Sequence, residues 1–347
     1  MKGIFFKMAT LKDVARKAGV SVPTVSRVIN NYQYVREATK AKVLKAIDKL
    51  DYQPDIRAQS LRGLKTKVIG LIIPDRFNPY YEQLASELED VCYEQGYGLL
   101  LCSSKNNPER ELAYLNILER QKVEGVFLVL STAVLTGQKL NNLIKRGIQV
   151  VLDEDMPGIS TSVVSADFHM GACQAVEYFI SLGHREIAFI NGPMNVSSSI
   201  GRFKGYRDTL NKYELKISKD LIKEGEFTYE TGYKRTTELL REPGDRFTAI
   251  FCSDDLVALG VLRAIQDKGK SVPQDYSIIG FDDVYLGSII EPSLTTIAQP
   301  LKKIASRVLK IIMRKKMTKD GSYRKEKVIL PTKLIVRESC APPSMRR

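Results

Sequence analysis

The sequence has no tryptophan and only two histidines, His169 and His184, among its 347 residues. It also lacks the phosphate-binding G-x-x-x-x-G-K-[ST] loop, the G-x-G-x-x-G turn, the H-E-x-x-H zinc helix and the G-x-S-x-G elbow. Each of these patterns positions a nucleophile, a base, a metal or a nucleotide phosphate, and without them no catalytic constellation is readable. An enzyme is therefore not expected, and neither a cofactor nor a metal is implied. His184, in Leu-Gly-His-Arg ahead of an apolar run, reads as a turn residue. Asp282-Asp283 resembles a carboxylate pair, but adjacent side chains point apart.

Cysteine is scarce and scattered. Cys92, Cys102, Cys173, Cys252 and Cys340 are odd in number and never form Cys-x-x-Cys, which excludes a disulfide framework or thiolate metal site and suits reduced thiols in a cytoplasm. Long apolar runs are missing as well. The start offers only Ile4 to Phe6, too short for a signal-peptide core, and nothing approaches the ~18 apolar residues of a membrane span. Neither secretion nor membrane insertion is expected. Met8 opens a second natural-looking start, MATLKDVA, so residues 1–7 read as an extension or a misassigned start.

Positive charge is present, and it is concentrated. Residues 1–66 hold nine lysines and five arginines against five acids, so +9 of the formal +13 lies there and +4 is spread over the remaining 281 residues. A local field of this kind suits a phosphate backbone, although a membrane surface or a solvated basic face has the same composition. The length and a hydrophobic content of 44% fit a small module followed by a two-lobed core.

Local signals give the module its form. Thr10 and Asp13 make a weak capping box ahead of a helix over Leu11 to Ala18, which Gly19 ends. Ser21 caps a second helix from Val22 to about Asn30, with Pro23 in the first turn where its missing N–H costs nothing. Val25, Val28 and Ile29 face Val14, Ala15 and Ala18, whereas Pro23, Ser26, Arg27 and Asn30 share the opposite face. Two short helices around a glycine turn are the helix-turn-helix unit, whose second helix enters the major groove. Arg27 suits bidentate donation to guanine. Val22 and Pro23 suit a thymine methyl, and Ser21, Thr24 and Asn30 suit phosphates or base edges. A plain bundle corner with solvated charges is the alternative. A third helix, about Arg36 to Leu50, turns Val43, Ile47 and Leu50 inward and Lys42, Lys45 and Lys49 outward.

From Val68 onward, β-branched apolar runs (VIGLII, YGLLLC, VEGVFLVL, IQVVLD, IAFING, FTAIFC and YSIIGF) alternate with helical stretches. This βα repetition predicts doubly wound parallel sheets with ligands at the carboxyl ends of strands.

The segments TLKDVARKAGVSVPTVSRVIN, YQPDIRAQSLR, GHREIAFINGP, GRFKGY, SDDLVALG, VPQDYSIIGFDD and LTTIAQP follow one another in the order and spacing of the lactose/galactose repressor (LacI/GalR) family. The chain resembles that family from residue 9 to about 339, with the ribose and purine repressors nearest in character. The resemblance implies an α/β fold: an all-α helix-turn-helix domain at 8–52, a hinge helix and linker at 53–66, and a periplasmic-binding-protein-like core at 67–340. The core's lobes comprise 67–165 with 297–328 and 166–296 with 329–340, the chain crossing near 165, 296 and 329. Leu61 is expected to wedge into the minor groove, and Thr10 and Ala58 to join the DNA contacts. A hinge of about eight residues is too short to persist as a helix alone, so its ordering would be coupled to DNA. Asp55 and Arg57 depart from the family's usual residues.

The same resemblance places Tyr80, Tyr81, Ser131, Asp153, Arg202, Asp254, Asp282 and Gln299 around an effector cleft. Aromatic faces, carboxylates and a guanidinium make a polyol site. Val196 stands where the purine repressor carries a base-reading arginine, and Glu154 where a ribose-binding protein carries arginine. A purine corepressor is thereby disfavoured, and several carboxylates beside one arginine disfavour a heavily phosphorylated effector. The expectation is a homodimeric repressor of a sugar or nucleoside operon, binding pseudo-palindromic operator DNA under control of a neutral sugar or nucleoside. The alternatives are a corepressor-dependent purine-type repressor, a cytoplasmic solute-binding protein and a sequence-blind architectural DNA binder.

Overall fold

The computed structural model describes residues 9–29, 32, 34–52, 66–130, 136–241, 246–314 and 324–344, and the chain divides into two units, Met1–Thr66 and Lys67–Arg347. In the first, α1 (Leu11–Ala18), α2 (Val22–Ile29) and α3 (Glu37–Lys49) enclose a core of Val14, Ala15, Val25, Val28, Val43, Ala46 and Tyr52. The capping box forms as expected: the Asp13 amide donates to Thr10 Oγ1 at 3.3 Å and the Thr10 amide to Asp13 Oδ2 at 3.0 Å. Gly19 closes α1 with φ +67°, a left-handed conformation that a side chain disfavours. The inward residues of α3 are Val43 and Ala46, while Ile47 and Leu50 are half-buried at the edge of the core. Tyr52, which the helical periodicity did not reach, completes it.

The second unit contains two parallel sheets. One has strand order β2 (Gly98–Ser103), β1 (Val68–Ile73), β3 (Gly125–Leu128), β4 (Gln149–Leu152), β5 (Ser162–Ala166), β11 (Lys327–Leu330). The other runs β7 (Ile222–Glu224), β6 (Ile187–Asn191), β8 (Ala249–Cys252), β9 (Ser277–Ile279). Period-two burial explains both: Ile69, Leu71 and Ile73 enter one core while Ile72 enters another, and Ala249 and Phe251 are divided from Ile250 and Cys252 in the same way. All seven apolar runs form strands.

Three segments join the lobes. The chain leaves β5 for α7 (Phe168–Ser181), returns from β10 (Thr296–Ala298) to α12 (Leu301–Ile312), and leaves β11 for β12 (Lys333–Ile335), which pairs antiparallel with β10. Of the elements between, α4 (Pro79–Glu94) follows β1, α8 (Ser197–Lys212) follows β6, α9 (Tyr229–Leu239) follows β7 and α10 (Asp255–Asp267) follows β8. His184 lies in the turn between α7 and β6 as expected, and it is 1% exposed and bonded through Nδ1 to Thr248 Oγ1 at 2.7 Å and through Nε2 to the Ala341 carbonyl at 3.0 Å. A carbonyl only accepts, so Nε2 carries the proton. Burial lowers the imidazole pKa and keeps it neutral, pinning the C-terminal segment to the sheet.

Candidate functional site

In the first unit, Ser21 begins α2 with its Oγ accepting from the Thr24 amide at 3.4 Å and lying 2.8 Å from Thr24 Oγ1. Pro23 and Arg27 are exposed on that helix and Thr24 and Ser26 are half-buried. Val22 is turned partly into the module's core, so its side chain is shared between packing and any outward contact. Sequence reasoning assigned no role to Tyr32 and Tyr34, which follow the helix 61% and 89% exposed with ring centroids 6.5 Å apart. Two exposed aromatics just after α2 in the chain are the signal it overlooked. Asn30, Ala58 and Leu61, with Asp55 and Arg57 of the expected hinge, lie outside the described residues.

In the second unit, both sheets reverse their winding once, between β1 and β3 and between β6 and β8. A crevice forms at such a reversal because the helices on either side leave it in opposite directions. A cavity of about 460 Å³ opens there, lined by Tyr80, Tyr81 and Asp153 from one lobe and by Arg202, Asp254, Asp282 and Gln299 from the other and its crossing segment. Seven of the eight expected effector residues thus meet in one space, and Ser131 is outside the described residues. Asn78, Phe168 and Phe227 line it too and were not anticipated. Asn-Pro-Tyr-Tyr directly after a strand was the readable signal for Asn78, a helix cap.

The side chains interlock across the lobes. Asn78 caps α4, accepting from the Tyr80 amide at 3.0 Å, and donates from Nδ2 to Asp254 Oδ2 at 3.2 Å. Tyr80 donates to Gln299 Oε1 at 3.2 Å, and Gln299 Nε2 to Asp282 Oδ1 at 2.7 Å. Arg202 Nη2 lies 3.5 Å from Asp282 Oδ1, and its guanidinium carbon lies 4.2 Å from the Phe281 ring centre and 4.9 Å from that of Phe168. Asp254 also caps α10, accepting from the Val257 amide at 2.7 Å, so its structural and site roles coincide. Asp282 and Asp283 point apart as expected, the latter to Arg337 at 2.6 Å. Asp282 holds φ +108°, a conformation a non-glycine residue keeps only under constraint, and its amide is fixed to the Ile297 carbonyl at 2.8 Å.

Burial dominates the electrostatics. It raises Asp254 to about 6 even though the Val257 amide, Arg202 and Asn78 oppose the shift, and it raises Asp282 to about 7 against Arg202. Asp153 is raised well above the carboxylate range by burial and then by Glu154.

Two family models match the chain: "Bacterial regulatory proteins, lacI family" over residues 10–55 and "Periplasmic binding protein-like domain" over 176–340. The HTH-type transcriptional repressor PurR of Histophilus somni (strain 129Pt) is 34% identical over 333 residues, 96% of this chain and 99% of the relative. The chain belongs to the lacI family of bacterial regulatory proteins. It is a DNA-binding transcription regulator. The lac repressor dimer bound to operator and the anti-inducer ONPF superposes with a TM-score of 0.82 at 26% identity, covering 96% of this chain and 100% of that one. A LacI family regulator from Enterococcus faecium with bound ribose gives 0.67 at 30% identity, over 79% of this chain and 99% of that one. Glu154 reaches across the cleft to accept from the Ser197 amide at 2.9 Å.

Proposed function

We propose that this lacI-family regulator is a cytoplasmic homodimeric repressor. The helix bearing Arg27 reads each half of a pseudo-palindromic operator, and Leu61 of the hinge wedges into its centre. Occupation of the cleft by a small polyhydroxylated ligand of the sugar or nucleoside kind sets its affinity for DNA. The observation that carries the ligand reading is the convergence of Tyr80, Tyr81, Asp153, Arg202, Asp254, Asp282 and Gln299 on one cavity. Against a purine-type corepressor, Val196 offers the cavity no side-chain donor. Among the described residues no helix is long and apolar enough to cross a membrane, which agrees with this placement.

The same architecture serves release by an inducer and recruitment by a corepressor, because either follows from which lobe arrangement the ligand favours. Selection of DNA by the full chain from a random pool tests the repressor reading. Enrichment of a two-fold symmetric motif is the expected outcome, and recovery of unrelated sequences with affinity set by salt alone identifies a sequence-blind binder.

A further inference from the structure

The two sides of the cleft differ in how their carboxylates are matched. On one side Asp282 faces the Arg202 guanidinium and accepts from Gln299, while Asp254 accepts from Asn78 and the Val257 amide. On the other, Asp153 accepts from the Leu130 amide at 2.8 Å, and the charged side chains that act on it most are both acids, Glu154 and Glu111. Glu154 accepts from the Ser197 amide on the opposite lobe, and its charge acts on Asp153. Asp75 and Glu226 add further acid to the lining, whose cation among the described residues is Arg202.

A buried carboxylate beside a second acid is relieved most by a ligand that supplies both donors and positive charge. A hydroxyl supplies a donor alone. Arg202, 3% exposed and packed against Phe168 and Phe281, has Nε and Nη1 without a hydrogen-bond acceptor among the described residues. Ligand hydroxyls meet that need, whereas a ligand carboxylate or phosphate there would face Asp254 and Asp282.

We infer that the effector is a hydroxylated primary amine, such as an amino sugar, with its ammonium on Asp153 and its hydroxyls toward Arg202, Asp254 and Asp282. This rests on the cleft being the effector site, and it replaces the neutral ligand expected from sequence with a cationic one. Glu154 then has a function: its charge adds to the negative potential at Asp153.

Isothermal titration of the full-length protein at neutral pH with matched pairs tests the assignment: glucosamine against glucose, galactosamine against galactose and mannosamine against mannose, with the N-acetyl forms as size-matched uncharged controls. At least one amine binds about tenfold more tightly than its neutral partner and its N-acetyl form, the difference between charge-assisted and neutral hydrogen bonds. Asp153→Asn, folded by its melting curve, brings that ratio to about one, and Glu154→Gln lowers it in the same direction. If neutral sugars bind as well as their amines, or the preference survives Asp153→Asn, the amine assignment is overturned and the polyol site stands. If no compound of either kind binds, both are overturned.

Discussion

Arg27 stands exposed on the second helix of the DNA-binding module, where its planar fork suits a guanine edge. Arg27→Ala is expected to cost about 1–3 kcal/mol on the selected operator and much less on unrelated DNA, measured by competition at one salt concentration. Equal losses on both would give Arg27 a phosphate role. In the cleft, Asp282 supplies a second residue-level test through its protons. An acid whose folded pKa of about 7 lies above its unfolded value of 3.8 binds more protons folded than unfolded. Its neutral form favours folding, and that contribution is lost as pH rises through the window between those values. The unliganded protein should therefore lose melting temperature from about pH 4 to about pH 7, and Asp282→Asn should flatten that slope. A slope unchanged in the variant would place the titration elsewhere. The residues lining the cleft were legible only because whole motifs resembled a family. Phe168 and Phe227 carry no chemical signature in the sequence, since an aromatic after a strand or before a helix cap is ordinary until the fold aims it at a guanidinium.

Helices and strands in this chain are set by short-range rules where those rules are strong. The Thr10 and Asp13 box, the Gly19 stop and the seven apolar runs were readable because each is complete within a few residues. Gly19→Ala places a side chain at φ +67° with nothing within 4 Å, so the loss is backbone strain alone, about 1 kcal/mol in urea unfolding of the module. Gly232 on α9 and Gly260 on α10 make a different case. A Cβ at Gly232 would lie 2.0 Å from the Val257 carbonyl oxygen, and one at Gly260 2.0 Å from that of Tyr229. These glycines let two helices touch backbone to backbone. Gly260→Ala should destabilise the core by about 3 kcal/mol, read as a fall in its melting temperature, because backbone cannot step aside as a flexible side chain does. The strands β5, β7, β10, β11 and β12 fell outside those runs. Serines begin and interrupt β5, while β10 and β12 are three residues each and pair with one another from distant parts of the chain.

At the scale of the whole molecule, the larger unit is clasped by polar contacts from lobe to lobe. Besides the bonds in the cleft, Gln83 on α4 donates to the Asp283 carbonyl at 3.3 Å and accepts from the Tyr285 amide at 2.9 Å. Because these bonds lie between two independently packed sheets, the lobes can part without disrupting either core. Gln83→Ala should favour the open arrangement, seen as a larger radius of gyration in X-ray scattering that ligand restores. No change in radius would mean that this clasp does not hold the lobes. Coupling of that closure to DNA is the account's central claim, and operator affinity measured with and without a cleft-filling ligand tests it most directly. Saturating ligand should shift the dissociation constant of the selected operator by about 5- to 150-fold, and Arg202→Ala should remove the shift. A ligand that fills the cleft and leaves operator affinity unchanged would contradict it.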